Sequence, residues 1–175
     1  MTIGINPDHL REQVIRPVLS QMKMWSPAAE DLMLGTIAQE SLLGHYLVQN
    51  QASEEIGAVG ICQIEPSTAA DTIYRYIDSR DDIEERFESA FQLVNTEDLD
   101  WSEVDLDVIR DKLITDLRFS VAVMRIKYWM IPKPLPAHGD VKGYAQYWKD
   151  HYNTDGGKGT PEEFIEKWYA LVEGE

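Results

Sequence analysis

The residues of this 175-residue chain best suited to chemistry are one carboxylic acid, one glycine-bracketed turn and one polar aromatic pair: Glu40 with Ser41, the run from Gly57 to Ala69, and Tyr152-Asn153. Glu40 falls near the end of a helix predicted from about Pro27 to Leu42. Ser26 supplies the N-cap hydroxyl, and Pro27 sits at the first helical position, where its missing N–H costs nothing. At about 100° per residue, Ala29, Leu32, Met33, Thr36 and Ile37 form one apolar stripe with Glu40 near its centre. A carboxyl group turned toward apolar surroundings resists ionisation and keeps a proton to donate near neutral pH. Protonation of the leaving oxygen of a glycosidic bond needs such an acid. The competing reading is a helix-terminal glutamate that reaches solvent or an arginine, and only the neighbouring motif favours the acid.

In that motif Gly57 and Gly60 bracket a turn where the backbone can take positive φ or let a ligand come close. Gln63 offers an amide donor and an acceptor able to read sugar hydroxyls or N-acetyl carbonyls. Pro66 opens a new helix, with Ser67, Thr68 and Ala69 in its first turn. Far along the chain, Tyr147 to Thr154 reads as a short amphipathic helix entering the glycine-rich stretch 155–159. Its aromatics suit sugar faces, but Tyr144, Tyr147 and Trp148 at helical spacing are assigned to packing. Tyr152 and Asn153 remain as candidate contacts.

Taken in order, Glu40-Ser41, the run Gly60-Ile61-Cys62-Gln63-Ile64-Glu65-Pro66-Ser67-Thr68-Ala69 and Tyr152-Asn153 resemble the soluble lytic transglycosylases and goose-type lysozymes. That family's pattern is Glu-Ser, then Gly-x-x-Gln-apolar-x-Pro-x-Thr-Ala, then Tyr-Asn. The likeness covers roughly Leu32 to Ile77 and the region of Tyr152. Cys62 and Glu65 stand where methionine-like residues are usual, and Thr154-Asp155 replace an Ala-Gly. The resemblance implies a lysozyme-like helical fold, Glu40 as the catalytic acid, and Ser41, Gly60, Gln63, Tyr152 and Asn153 as substrate-binding residues. The Tyr152 hydroxyl would then bond the acid or its substrate.

The remaining elements read as successive helices. Asn6 or Asp8 can cap a first helix carrying Leu10, Val14, Val18, Leu19 and Met22, bent at Pro17. Pro66 to about Ile77 forms another, and one from about Asp81 carries Ile83, Phe87, Ala90, Phe91 and Val94. Ser102 is a candidate cap for a longer stretch through Leu106, Ile109, Leu113, Leu117, Val121, Met124 and Tyr128, with a break near Asp116. Pro132, Pro134 and Pro136 make an extended connector. Thr160 and Glu163 form a capping box for a last helix bearing Phe164, Ile165, Trp168 and Leu171. The expected fold is mainly α with little or no β, a single domain over residues 1–175 whose motif-bearing core spans about 27–78 and 144–172.

Composition bounds the partners. The length suits one sizeable core, and no apolar run is long enough to span a bilayer. No basic segment followed by an apolar stretch opens the chain, which predicts neither export by the usual route nor anchoring. Cys62 is the one cysteine, so it is expected as a free, buried thiol, and no cofactor is expected. A net charge of −15, with scattered lysines and arginines, argues against nucleic acid. The same charge sits awkwardly with an acidic wall polymer as substrate.

Other signals are weaker. Asp98, Asp100, Glu103, Asp105 and Asp107 lack the glycine and terminal glutamate of a calcium loop. Gly156-Gly157-Lys158-Gly159-Thr160 lacks the lysine–threonine step and leading strand of a phosphate loop. His9, His45, His138 and His151 are not spaced as metal ligands, although His45 and His151 could approach the cleft. No serine or cysteine belongs to a convincing triad.

The resemblance therefore implies a peptidoglycan lytic transglycosylase acting on the β-1,4 bond between N-acetylmuramic acid and N-acetylglucosamine. An acidic chain without an export signal, similar at its carboxy-terminal part to short transglycosylase-like phage proteins, is expected in a bacteriophage virion or infected host cell, acting at the host wall. Its partners would be glycan strands and other virion proteins. The alternative, from a different class, is a virion structural or wall-binding protein that keeps the scaffold without turnover.

Overall fold

The computed structural model describes residues 4–48, 57–77, 105–153 and 157–174. These are mainly α-helical, and among them no β-strand forms. The β pairing among the described residues is two isolated antiparallel bridges, Val48 with Val59 and Val59 with Ile64. The helices predicted from Asp81 and capped at Ser102 start outside the described residues, as do Asp98, Asp100 and Glu103.

The first helical stretch comprises α1 (Pro7–Leu10), a wide π-type segment Arg11–Ile15, and α2 (Arg16–Gln21). Asn6 is its cap, with the side-chain oxygen accepting from the N–H groups of Asp8 and His9. Pro17 stands in the first turn of α2. The widened segment just before it lets the chain continue past a residue that has no N–H to give.

Helix α3 (Pro27–Ser41) starts at Ser26, whose hydroxyl accepts from the Ala29 N–H at 3.1 Å. It ends where Leu42, Leu43 and Gly44 all adopt positive φ. A single apolar stripe is not how α3 packs. Every residue from Ala29 to Gln39 is buried, because Leu34, Gly35 and Ala38 fill the faces that the stripe leaves open. An all-round buried helix belongs at the centre of a core, and α3 touches the Arg11–Ile15 segment and the three last helices of the chain.

Helix α4 (Pro66–Ile77) packs against α5 (Leu106–Thr115) and α6 (Leu117–Trp129). Asp116, in extended backbone, separates α5 from α6 and caps the latter by accepting from the N–H groups of Arg118 and Phe119. Asp105 caps α5. After the proline connector, α7 (Val141–Trp148) runs directly into a π-type segment, Lys149–Asn153. Helix α8 (Pro161–Lys167) opens with the Thr160–Glu163 capping box and continues as Trp168–Glu173. Buried apolar side chains from these helices form one cluster, with Trp148, Tyr128, Tyr144, Phe119 and Phe164 its largest fully buried members.

Candidate functional site

Glu40 lies on the last turn of α3, and its side chain faces a cleft of about 570 Å³. Gln63, Glu65, Lys127, Tyr152, Asn153 and Gly157 line the same cleft, with Ala58, Ile64 and Thr68. Three segments far apart in sequence thus meet at the end of one buried helix.

The turn from Gly60 to Gln63 is fixed to that helix end through Ser41. Its hydroxyl donates to the Ile61 carbonyl at 2.7 Å and accepts from the Gly44 N–H at 2.9 Å. Ser41 is fully buried and does not face the cleft, so its geometry makes it a bracket between α3 and the turn. Gly60 likewise stays behind the cleft wall. Its φ is +76°, and a Cβ would collide with the Leu113 carbonyl, so glycine is required by backbone approach. Val59 and Ile64 exchange backbone hydrogen bonds at 3.1 and 3.0 Å across the turn.

Gln63 closes this turn at a φ of +48°, unusual for a residue with a side chain. Its amide nitrogen donates to the Gly60 carbonyl at 2.8 Å. The other amide atom, Oε1, is buried and has no hydrogen-bond partner among the described residues. The side chain is thereby oriented by its nitrogen, leaving Oε1 as a buried, unpartnered acceptor behind the cleft surface.

Tyr152 and Asn153 come from the π-type extension of α7. Buried Tyr152 donates from its hydroxyl to the Cys62 carbonyl at 2.7 Å. The expected bond from that hydroxyl to the acid or substrate is therefore replaced by a tie to the glycine turn. Tyr128 stacks on the Tyr152 ring at 5.2 Å and 24°, and itself bonds the Thr36 hydroxyl on α3 at 2.8 Å. Thr36 donates to the Leu32 carbonyl, which leaves Tyr128 as the donor between them. Asn153 presents its carbonyl oxygen to Lys149 Nζ at 2.8 Å. Gly157 passes so close that a Cβ there would strike the Asn153 side chain. Gly157 thus gives the chain room beside Asn153.

Glu40 itself receives one hydrogen bond, from Trp148 Nε1 to Oε1 at 2.8 Å. Among the described residues no cation lies within ion-pair distance of its carboxylate. Burial pushes its proton affinity up, and the Trp148 N–H and the charges of Lys127 and Lys167 only partly oppose this. The net shift is upward, as a proton donor needs. Cys62, free and buried behind the turn, is pushed well above the usual thiol range by burial and by Glu40.

Two residues here escaped the sequence reading. Trp148 is deeply buried, as its packing role requires, yet its indole N–H is the group that orients the acid. Lys127 lies on α6 between buried Ile126 and Tyr128, in a run that also holds the buried Val123, Met124 and Arg125. Its Nζ lies 3.9 Å from the Tyr152 ring centre and 3.4 Å from the Tyr152 carbonyl. His151 packs edge-on against Tyr147 at 4.6 Å, and His45 against Tyr46. Neither lines the cleft.

Among the described residues no helix is long and apolar enough to cross a membrane, and no group of three histidine, cysteine or acidic side chains is arranged to hold a metal ion. Comparison of the chain with protein-family models, curated proteins and solved structures gave no match.

Proposed function

We propose that this cleft cleaves the β-1,4 bond between N-acetylmuramic acid and N-acetylglucosamine in peptidoglycan, on a lysozyme-like helical scaffold, as part of bacteriophage entry or lysis. The observation that carries the reading is Glu40: a half-buried acid with raised proton affinity, without an ion pair among the described residues, at the wall of a cleft large enough for sugar rings. As an acid it protonates the glycosidic oxygen as the bond breaks. As a base it then takes the proton of the muramyl 6-hydroxyl, which closes an anhydro ring, or of a water. Gln63 and Asn153 line the cleft as the polar side chains available to sugar N–H and hydroxyl groups. Trp148 holds the carboxyl oxygen in place through both steps.

Digestion of purified peptidoglycan by the protein and by Glu40→Gln, followed by mass spectrometry of the released muropeptides, tests this. Anhydromuropeptides that disappear with the substitution are the expected result, and reducing-end products would make the protein a muramidase. If folded protein releases nothing between about pH 4 and 8, where a buried glutamic acid titrates, turnover is refuted. A non-catalytic virion or wall-binding role then takes its place.

A further inference from the structure

The cleft contains a cation that the acid–base scheme does not use. Lys127 reaches it from α6, through a segment whose neighbours are core residues. Taking an ammonium group out of water is costly unless its three donors are met. Among the described residues they are met poorly. Lys127 has one long contact to the Tyr152 carbonyl, at 3.4 Å, and the face of the Tyr152 ring. Its charge is felt by Glu40 and Glu65, but among the described residues neither carboxylate is within ion-pair distance. The other lysines near the site are engaged differently: Lys167 donates to the Gln39 carbonyl and Lys149 to Asn153 and the Gly157 carbonyl.

The overall charge makes this placement more telling. A chain with net charge −15 repels an anionic ligand at long range. An acidic polymer can bind only where a local cation offsets that field. Glu40 and Glu65 on the same walls disfavour a dianion, so the ligand group matched to one ammonium is a single carboxylate.

Resting on the glycan-cleaving reading, we propose that Lys127 is the carboxylate anchor of the cleft and makes it selective for sugar strands that carry an acid over neutral ones of the same length. The acid would be the carboxylate of a muramyl residue that carries no stem peptide, since an amide-linked muramyl carboxyl has no charge to offer. An ammonium is a compact point charge and needs no bidentate geometry to hold it.

The test measures binding of two probes to the full chain by calorimetry at low salt. One is a neutral N-acetylglucosamine oligomer, the other an alternating N-acetylmuramyl oligomer of equal length with a free carboxylate. Wild type is expected to bind the acidic oligomer about tenfold more tightly, the worth of one charge-assisted contact. Amidating the oligomer's carboxyl should erase that preference without altering the protein. Lys127→Met should lower only the acidic oligomer's affinity, bringing the ratio near one, and Lys127→Arg should keep it. Equal binding of both oligomers by wild type overturns the anchor while leaving the glycan reading intact. Equal weakening of both by Lys127→Met, in protein that keeps its helical circular dichroism, also overturns it. Failure of wild type to bind either oligomer overturns both.

Discussion

Helix α3 carries acidic residues at both ends, buried at the start and half-buried at the finish, and treats them oppositely. Near its start, Glu30 accepts from Arg16 at 2.8 and 2.9 Å, from Arg11 at 3.1 Å and from the Trp25 indole at 2.6 Å. Asp31 beside it pairs with Arg11 at 2.7 Å and meets Tyr144 and His138. Burial alone would raise the Glu30 proton affinity, but the hydrogen bonds from Arg16, Trp25 and Arg11 outweigh it and hold the carboxyl below its ordinary range. Ten residues later, on the last turn, Glu40 has one neutral donor among the described residues, and burial wins. The difference lies in partners more than in depth. Saturated with cations, a buried carboxylate clamps the Arg11–Ile15 segment, α2 and α3 together; left with a single indole, a carboxylate stays able to move a proton.

The largest effect expected from disturbing this contrast is at the reactive end. Glu40→Gln keeps the shape and the acceptor for Trp148 but has no proton to give, so glycan cleavage should fall about a thousandfold, the usual scale of general acid–base catalysis. Turnover of purified peptidoglycan checks it.

At the paired end the effect is on stability. Glu30→Gln leaves Arg11 and Arg16 short of their anion and should cost about 2 kcal/mol, less than a fully buried pair because Arg16 is well exposed. Since the folded carboxyl sits below its unfolded value, its stabilisation is present above the unfolded range and is lost as pH falls through the folded one. Urea denaturation of both proteins should therefore show a gap at neutral pH that narrows in acid.

The opposite sign is expected for Glu40→Gln in the same assay. A carboxyl raised on folding contributes fully only below its unfolded value and loses that contribution as pH rises through the folded one. The variant should be more stable than wild type at neutral pH by on the order of 1 kcal/mol, a stability–activity exchange common at active sites. The gain should vanish below about pH 4, the ordinary glutamate range. Trp148→Phe gives the smallest change. Losing the N–H leaves burial less opposed at Glu40, so the alkaline limb of the cleavage profile should move to higher pH, with roughly a threefold change at the optimum, the scale of one modest hydrogen bond.

What could be read in advance follows local chemistry. Ser26-Pro27, Asp116 and Thr160–Glu163 announce helix boundaries because caps and prolines act within a few residues, and the structure has each in that role. Periodicity misdescribed α3 because it finds one apolar face, whereas small residues such as Gly35 and Ala38 let neighbours close on the others. Glu40, Gln63, Tyr152 and Asn153 meet at one cleft, but the Ser41 and Gly60 contacts run inward, to Ile61 and Leu47. Sequence types alone do not say which side of a wall a polar group faces. Lys127 and Trp148 were hidden for a related reason: each contacts the site across about a hundred or fewer residues of chain, through packing that no local pattern encodes.

The most direct measurement follows Glu40 and Glu30 in one experiment, by titrating the side-chain carboxyl carbons of ¹³C-labelled glutamate in the full chain, with Glu40→Gln and Glu30→Gln assigning the two signals. Glu40 is predicted to titrate above the ordinary glutamate range and Glu30 below it. A Glu40 signal that titrates with exposed glutamates or below them would contradict the proton-donor account, whatever the cleft binds.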